Sequence, residues 1–178
     1  MSLRRASAII PDLSALGGTL VLVCLAVAPP ALAGDWIADG KSGCRVWNPN
    51  PTAQESATWS GSCKDGLAEG TGVVQWFRGG LPFERDEGRW QAGRQVGVGL
   101  QIWPTGRYEG EVRDGMPHGH GRLIVGDARY EGEFTAGKPN GAGTLRNAKG
   151  VFEGIWKGGC FRDGTRRASL GVDLAQCP

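Results

Sequence analysis

One pattern dominates the chain and limits what it can become. From Arg107 to Leu145 it reads RYEGEVRDGMPHGHGRLIVGDARYEGEFTAGKPNGAGTL, which is the same phrase twice. The glycine inside each Glu-Gly pair falls at Gly88, Gly110, Gly132 and Gly154, a period of 22 residues. A less regular copy has its marker at Gly61. Five residues after each marker stands another glycine: Gly66, Gly93, Gly115, Gly137 and Gly159. Two more recur at offsets nine and eleven: Gly70 and Gly72, Gly97 and Gly99, Gly119 and Gly121, Gly141 and Gly143. An aromatic residue sits two before the marker in four copies, as Trp59, Tyr108, Tyr130 and Phe152, and Asp86 breaks the column in the second. Self-similarity at a fixed short period is the signature of a repeat architecture.

Each copy reads as a β-hairpin. Tyr108 to Val112 alternates as a strand does, and Asp114-Gly115 is a turn signal. Pro117 is expected to hold the loop out of regular structure, with a second strand from Gly119 to Val125 and a turn at Gly126-Asp127. A lone hairpin is marginal in water, so the copies are expected to stack into a single-layer, all-β antiparallel meander. If Gly110 faces Gly121, then Tyr108, Gly110 and Val112 share a face with Gly119, Gly121 and Leu123. An aromatic ring can then lie over bare backbone. The columns Gly88, Gly110, Gly132, Gly154, Gly97, Gly99, Gly119, Gly121, Gly141 and Gly143 are accordingly assigned to structure.

These residues resemble the MORN repeat family (membrane occupation and recognition nexus). The pattern stands here as Tyr108-Glu109-Gly110-Glu111-Val112 with Gly115 and His118-Gly119-His120-Gly121. It stands again as Tyr130-Glu131-Gly132-Glu133-Phe134 with Gly137 and Asn140-Gly141-Ala142-Gly143. Phe152-Glu153-Gly154-Ile155-Trp156 is a truncated copy. The resemblance spans about residues 59–164 and implies a chain of hairpins used for contact with partners, with membrane phospholipid as the older proposed target.

The ends read differently. Arg4 and Arg5 precede an uncharged run from Leu13 to Ala33, and Ala31-Leu32-Ala33 is a small-x-small pattern. Residues 1–33 therefore read as a secretory signal peptide cleaved before Gly34. A retained membrane anchor is the rival, since the run could span a bilayer. Its loss removes Arg4, Arg5 and Asp12 from 20 basic and 18 acidic residues, leaving a net charge of +1. That gives no global attraction to nucleic acid, and binding is expected to depend little on salt. Four cysteines remain, Cys44, Cys63, Cys160 and Cys177, in two local groups. An even count in an exported chain favours disulfides, paired Cys44–Cys63 and Cys160–Cys177. A zinc site is disfavoured by the absence of Cys-x-x-Cys spacing. Residues 34–58 and 165–178 read as caps, with a short helix possible within the tail from Arg166 to Cys177.

No catalytic, metal or cofactor-binding residue is assigned. The glutamates Glu87, Glu109, Glu131 and Glu153, with Glu111 and Glu133, read as a solvated row opposite the aromatics. His118 and His120 read as structural. The aromatic face of Trp59, Tyr108, Tyr130, Phe134, Phe152 and Trp156 carries more apolar surface than one layer readily hides. This face, or the open last hairpin, is the expected docking surface for a protein partner or a second copy. Trp76 and Trp103 are the expected exposed tryptophans. The reading is a non-enzymatic, exported scaffold. A peripheral phospholipid-binding module is the first competitor. A cell-envelope hydrolase is the second, and it requires a non-repeated polar cluster in a cleft, which the sequence does not reveal.

Overall fold

The computed structural model describes residues 34–178. The proposed signal peptide therefore lies outside the described residues. Fourteen strands form one sheet. They are β1 (Asp35–Ala38), β2 (Arg45–Asn48), β3 (Glu55–Trp59), β4 (Ser62–Lys64), β5 (Leu67–Arg78), β6 (Leu81–Gln91) and β7 (Arg94–Trp103). There follow β8 (Gly106–Arg113), β9 (Met116–Val125), β10 (Ala128–Thr135), β11 (Lys138–Asn147), β12 (Gly150–Lys157), β13 (Cys160–Asp163) and β14 (Arg166–Ser169). From β5 to β14 each strand pairs antiparallel with the next in sequence, as the meander requires. The amino-terminal cap departs from it: β3 and β4 both pair with β5, and β2 meets β5 in parallel at Arg45 and Leu67.

The hairpin turns follow their sequence. Asp114 and Gly115 both take positive φ, 52° and 79°, as a two-residue type I′ turn demands. Each such turn is tied to the hairpin before it. Gly115 donates its N–H to the Gln95 carbonyl at 3.1 Å, Gly137 to Pro117 at 3.0 Å, and Gly159 to Pro139 at 2.8 Å.

The glycines at the marker and at offset eleven form one straight row. Gly72, Gly88, Gly99, Gly110, Gly121, Gly132, Gly143 and Gly154 pair in succession across eight strands, β5 to β12. On the inner face the row is a trough, and side chains lie in it. A Cβ on Gly121 would come within 2.3 Å of the Tyr108 hydroxyl, and Trp59 lies as closely over Gly72. Tyr130 covers Gly143 in the same way. The Tyr108 and Tyr130 hydroxyls reach past the glycines to donate to the Glu111 and Glu133 carbonyls, at 2.6 and 3.2 Å.

Three expectations are corrected. The offset-nine glycines do not share the aromatic face. Gly119 lies against the Glu111 carboxylate and Gly141 against that of Glu133. Gly119 has φ +58° within a bulge: Gly110 pairs with Gly121 but Val112 pairs with Pro117, so β9 carries two extra residues. Glu111 stabilises that bulge by accepting the His120 N–H at 2.9 Å, so it is more than a solvated charge. Second, Pro117 does not lie in a loop but within β9. Third, the tail opens as strand rather than helix, for Arg166–Ser169 form β14, and helix is confined to a 3-10 turn, Leu174–Gln176. Both expected disulfides form, Cys44–Cys63 and Cys160–Cys177, with Cα separations of 5.8 and 5.5 Å.

The aromatic face is the core. Tyr108 and Tyr130 are 0% exposed, and Trp59, Phe134, Phe152 and Trp156 are also buried. Edge-to-face contacts run from Tyr108 to Phe134, Tyr130 and Trp156, with ring centroids 5.1–5.2 Å apart, the geometry aromatic quadrupoles prefer. A second cluster gathers Val46, Trp59, Val74, Trp76 and Trp90 at the amino-terminal end.

Two outcomes are expected. Gly121→Val must displace the Tyr108 ring or the backbone beneath it, and overpacking of this kind costs about 1–3 kcal/mol. Equal denaturation midpoints for variant and parent would show that the row has slack. Burial, then the Glu111 and Glu133 charges, push both tyrosines up to about 12. Protonated tyrosine is thus favoured by folding, so stability is retained below the ordinary value near 10 and falls as pH rises towards 12. The chain has two tyrosines, so absorbance titration reads both; ionisation of either near pH 10 in the folded protein would contradict this placement.

Candidate functional site

The inner row beside the glycines shows where the repeat is interrupted. Across successive strands it reads Val74, Asp86, Gln101, Tyr108, Leu123, Tyr130, Leu145, Phe152. A ring paired with a leucine is the rule at Tyr108–Leu123 and Tyr130–Leu145. In the second copy that pair is Asp86–Gln101. The position of Pro117 and Pro139 is also changed there, to Gln95. Three neighbouring core positions are therefore polar in one repeat and apolar in the next two. Asp86, Gln95 and Gln101 are all buried.

Their hydrogen bonds knit them into the sheet. With no ring available, Gln95 occupies the trough, its amide nitrogen covering Gly99 and donating to the Glu87 carbonyl at 3.0 Å. Gln101 donates to Gln95 Oε1 and to the Gly115 carbonyl, both at 2.9 Å. The Trp76 indole donates to Asp86 Oδ2 at 2.7 Å. Two buried polar atoms, Asp86 Oδ1 and Trp90 Nε1, have no hydrogen-bond partner among the described residues. Orphans of this kind are uncommon and costly.

Beside them opens a groove of about 660 Å³. Asp86, Gln101 and Glu84 contribute its polar wall, and Trp76 and Trp90 lie at its base. Trp47, Phe83 and Trp103, each half-buried, form the apolar rim. The cap supplies Trp47, which is held by Trp36 at 5.2 Å and by the Arg94 guanidinium 4.1 Å from its ring. Burial, reinforced by the Glu84 charge and by a hydrogen bond shared with the Glu84 carboxyl, outweighs the Trp76 bond and pushes the Asp86 carboxyl well above its ordinary value. Burial also raises Glu84. Nearby Glu55 goes the other way: bonds from Thr52 and Arg78 outweigh its burial and lower it.

This cluster is what sequence reasoning missed. Asp86 was visible as a gap in the aromatic column, but its partners Gln95 and Gln101 belong to columns not compared between copies. Of the tryptophans expected to be exposed, Trp76 is buried at 4% and Trp103 is half-buried, one side packed against the carboxy-terminal core. The non-repeated polar cluster that a hydrolase would need is present in the structure. His118 and His120 both lie in the β9 bulge, and no group of three or more His, Cys, Asp or Glu among the described residues is placed to hold a metal ion.

The outer face carries two further rows. One is Glu87, Leu100, Glu109, Arg122, Glu131, Thr144, Glu153, in which Arg122 stands between two glutamates and lies 3.3 Å from Glu131. The other is Arg85, Ile102, Arg107, Ile124, Arg129, Arg146, Val151. Among the described residues, no carboxylate lies within 4 Å of Arg107, Arg129 or Arg146.

Stacked hairpins with a buried aromatic seam and a charged outer face define a repeat scaffold of the kind that binds other molecules. The family model for the MORN repeat matches residues 87–106, 108–124 and 130–151. The chain thus carries three consecutive MORN repeats, and no curated protein matches it. Gln95 and Gln101 lie within the first matched stretch, and Asp86 immediately precedes it.

Asp86→Asn keeps an acceptor for Trp76 and removes the titration. Because burial favours the uncharged Asp86 carboxyl in the fold, its contribution is complete below about pH 4 and is lost as pH rises through the raised value. The variant is therefore expected to gain stability over the parent at pH 8 and little at pH 4. Urea melts showing the same difference at both pH values would contradict a buried, uncharged Asp86.

Proposed function

We propose that the protein is an exported, non-enzymatic binding module that engages an acidic protein surface through the outer face of its sheet. The arginine and aliphatic row carries this reading. Arg85, Arg107, Arg129 and Arg146 are all exposed, and Ile102, Ile124 and Val151 alternate with most of them. Arginine is enriched at protein interfaces, where it combines apolar contact with forked hydrogen bonding. Exposed Val98 and Ile155 extend the apolar area on the same side. The rings first considered for docking are buried and unavailable. Two disulfides support an oxidising compartment.

The row also changes the salt expectation. Net charge sets the distant field, but a partner at contact meets local charge within a Debye length, about 8 Å at physiological salt. Binding should weaken as salt rises. Anionic phospholipid is the second reading, since the same row suits it. The decisive comparison uses the parent and the Arg107→Ser, Arg129→Ser, Arg146→Ser variant. Both are cross-linked to envelope proteins and sedimented with phosphatidylglycerol vesicles, at low and high salt. The expected result is protein partners captured by the parent and lost in the variant. Partners captured equally by both, or vesicle binding alone, would overturn the proposal.

A further inference from the structure

The polar cluster requires an explanation that the outer face does not provide. Asp86, Gln95 and Gln101 replace an aromatic, a proline and a leucine at positions where the next two repeats pack efficiently. Asp86 brings one buried atom without a donor, Oδ1, and Trp90 in the same strand brings a second unpaired atom, Nε1. Both residues line the same groove. Asp86 is 4% exposed and Trp90 1%, so neither is a surface residue that happens to lack a contact.

The chemistry of the two orphans limits what can satisfy them. The Trp90 indole is a donor only. An ammonium group would answer Asp86 and leave Trp90 unpaired. A carboxylate or phosphate would answer Trp90 but would meet the carboxyls of Glu84 and Asp86. Hydroxyls both donate and accept, so a ligand carrying several can serve Trp90 and, four residues along the same strand, Asp86, whichever state that carboxyl is in. The rim adds a second requirement. Trp47, Phe83 and Trp103 present aromatic surface around the polar floor. A ligand that has hydroxyls around its edge and C–H groups on its faces matches both.

We propose that this groove is a saccharide-binding site, in which the carboxyl wall of Asp86 and Glu84 and the Trp90 indole meet different hydroxyls of one oligosaccharide and the aromatic rim packs against its rings. Gln101 and Gln95 act as positioning residues. They hold the floor polar and fixed, Gln101 by bonds to Gln95 and to the Gly115 carbonyl. The Trp76 indole fixes the Asp86 carboxyl through Oδ2, and the Glu84 carboxyl lies within hydrogen-bonding reach of it, so a ligand hydroxyl would join a carboxyl pair. The groove volume of about 660 Å³ falls in the usual range for small-molecule sites. The site is on the inner side of the sheet and the arginine row on the outer, so the two can be tested separately.

The test uses chitotetraose, cellotetraose and maltotetraose as probes on the ¹⁵N-labelled protein. The seven tryptophans give seven indole N–H signals, and Trp90→Phe assigns the one that matters. At least one probe is expected to move the Trp90 signal saturably, with line broadening or shift at Trp103. The Asp86→Tyr, Gln95→Pro, Gln101→Leu variant gives this repeat the residues of its neighbours and is expected to abolish the response. Trp103→Ala, at the rim, is expected to weaken it and does not depend on the triple variant folding. No saturable shift with any of the three probes would overturn the proposal. So would a response that survives unchanged in the folded triple variant or in Trp103→Ala.

Discussion

A single sheet has no second layer against which to bury its apolar face, and the glycine row is how this chain supplies one. Where Gly121 pairs with Gly110 and Gly132, the inner surface is bare backbone, and the Tyr108 ring lies on it. The ring then needs no opposing helix or sheet, only the strand beside it. The cost of glycine in a strand, in entropy and lost packing, is offset by the aromatic area each ring removes from water. Spacing follows directly. A hairpin of 22 residues returns its second strand to the same level after eleven, so one glycine per strand suffices to draw the row straight across the sheet. The tyrosine hydroxyls reach carbonyls beside the bulge, which places the ring, the trough and the bulge in one geometric unit.

That dependence explains why the second repeat looks as it does. Without a ring at position 86, the trough over Gly99 would be empty, and Gln95 fills it from the partner strand. Gln95 is then buried and must be bonded, so Gln101 and the Glu87 carbonyl become its partners. One departure from the pattern thus compels others, and the aromatic core divides into two clusters on either side of it. The groove lies at this division. A buried polar network is costly when incomplete, and this one is incomplete at two atoms.

The hairpins, their turns, the opposition of Gly110 and Gly121 and the cysteine pairing were all legible in the sequence. Each is local: a fixed offset, a turn dipeptide, or cysteines near one another in the chain. What escaped was set by distance or by curvature. Gly119 has the same spacing as a face-sharing glycine, but the two-residue bulge in β9 turns it to the glutamate side, and nothing in the glycine columns announces the bulge. Pro117 reads as a loop residue because proline lacks an N–H; here the Val112–Pro117 pairing lies beyond the bulge, where β9 still forms strand. The aromatic residues were assigned correctly to one face, but alternation does not say whether that face is open or folded inwards. Trp76 was misplaced for the same reason, since its burial depends on Asp86, in the next strand, and on the core around it.

The two faces consequently obey different constraints. Inside, each position answers to a glycine beneath it and a ring beside it, so a change at one residue propagates to its neighbours, as Asp86, Gln95 and Gln101 show. Outside, Arg107, Arg129 and Arg146 have no carboxylate within 4 Å among the described residues, so ion pairing does not tie them to the fold. Residues not tied in this way are free to follow a partner, and four arginines aligned across seven strands form an order that hairpin stacking does not impose. Charge on the outer face is therefore the property from which partner choice can vary without altering the scaffold. The inner groove has no such freedom. Any ligand there must fit the gap that one interrupted repeat leaves in an otherwise continuous aromatic seam.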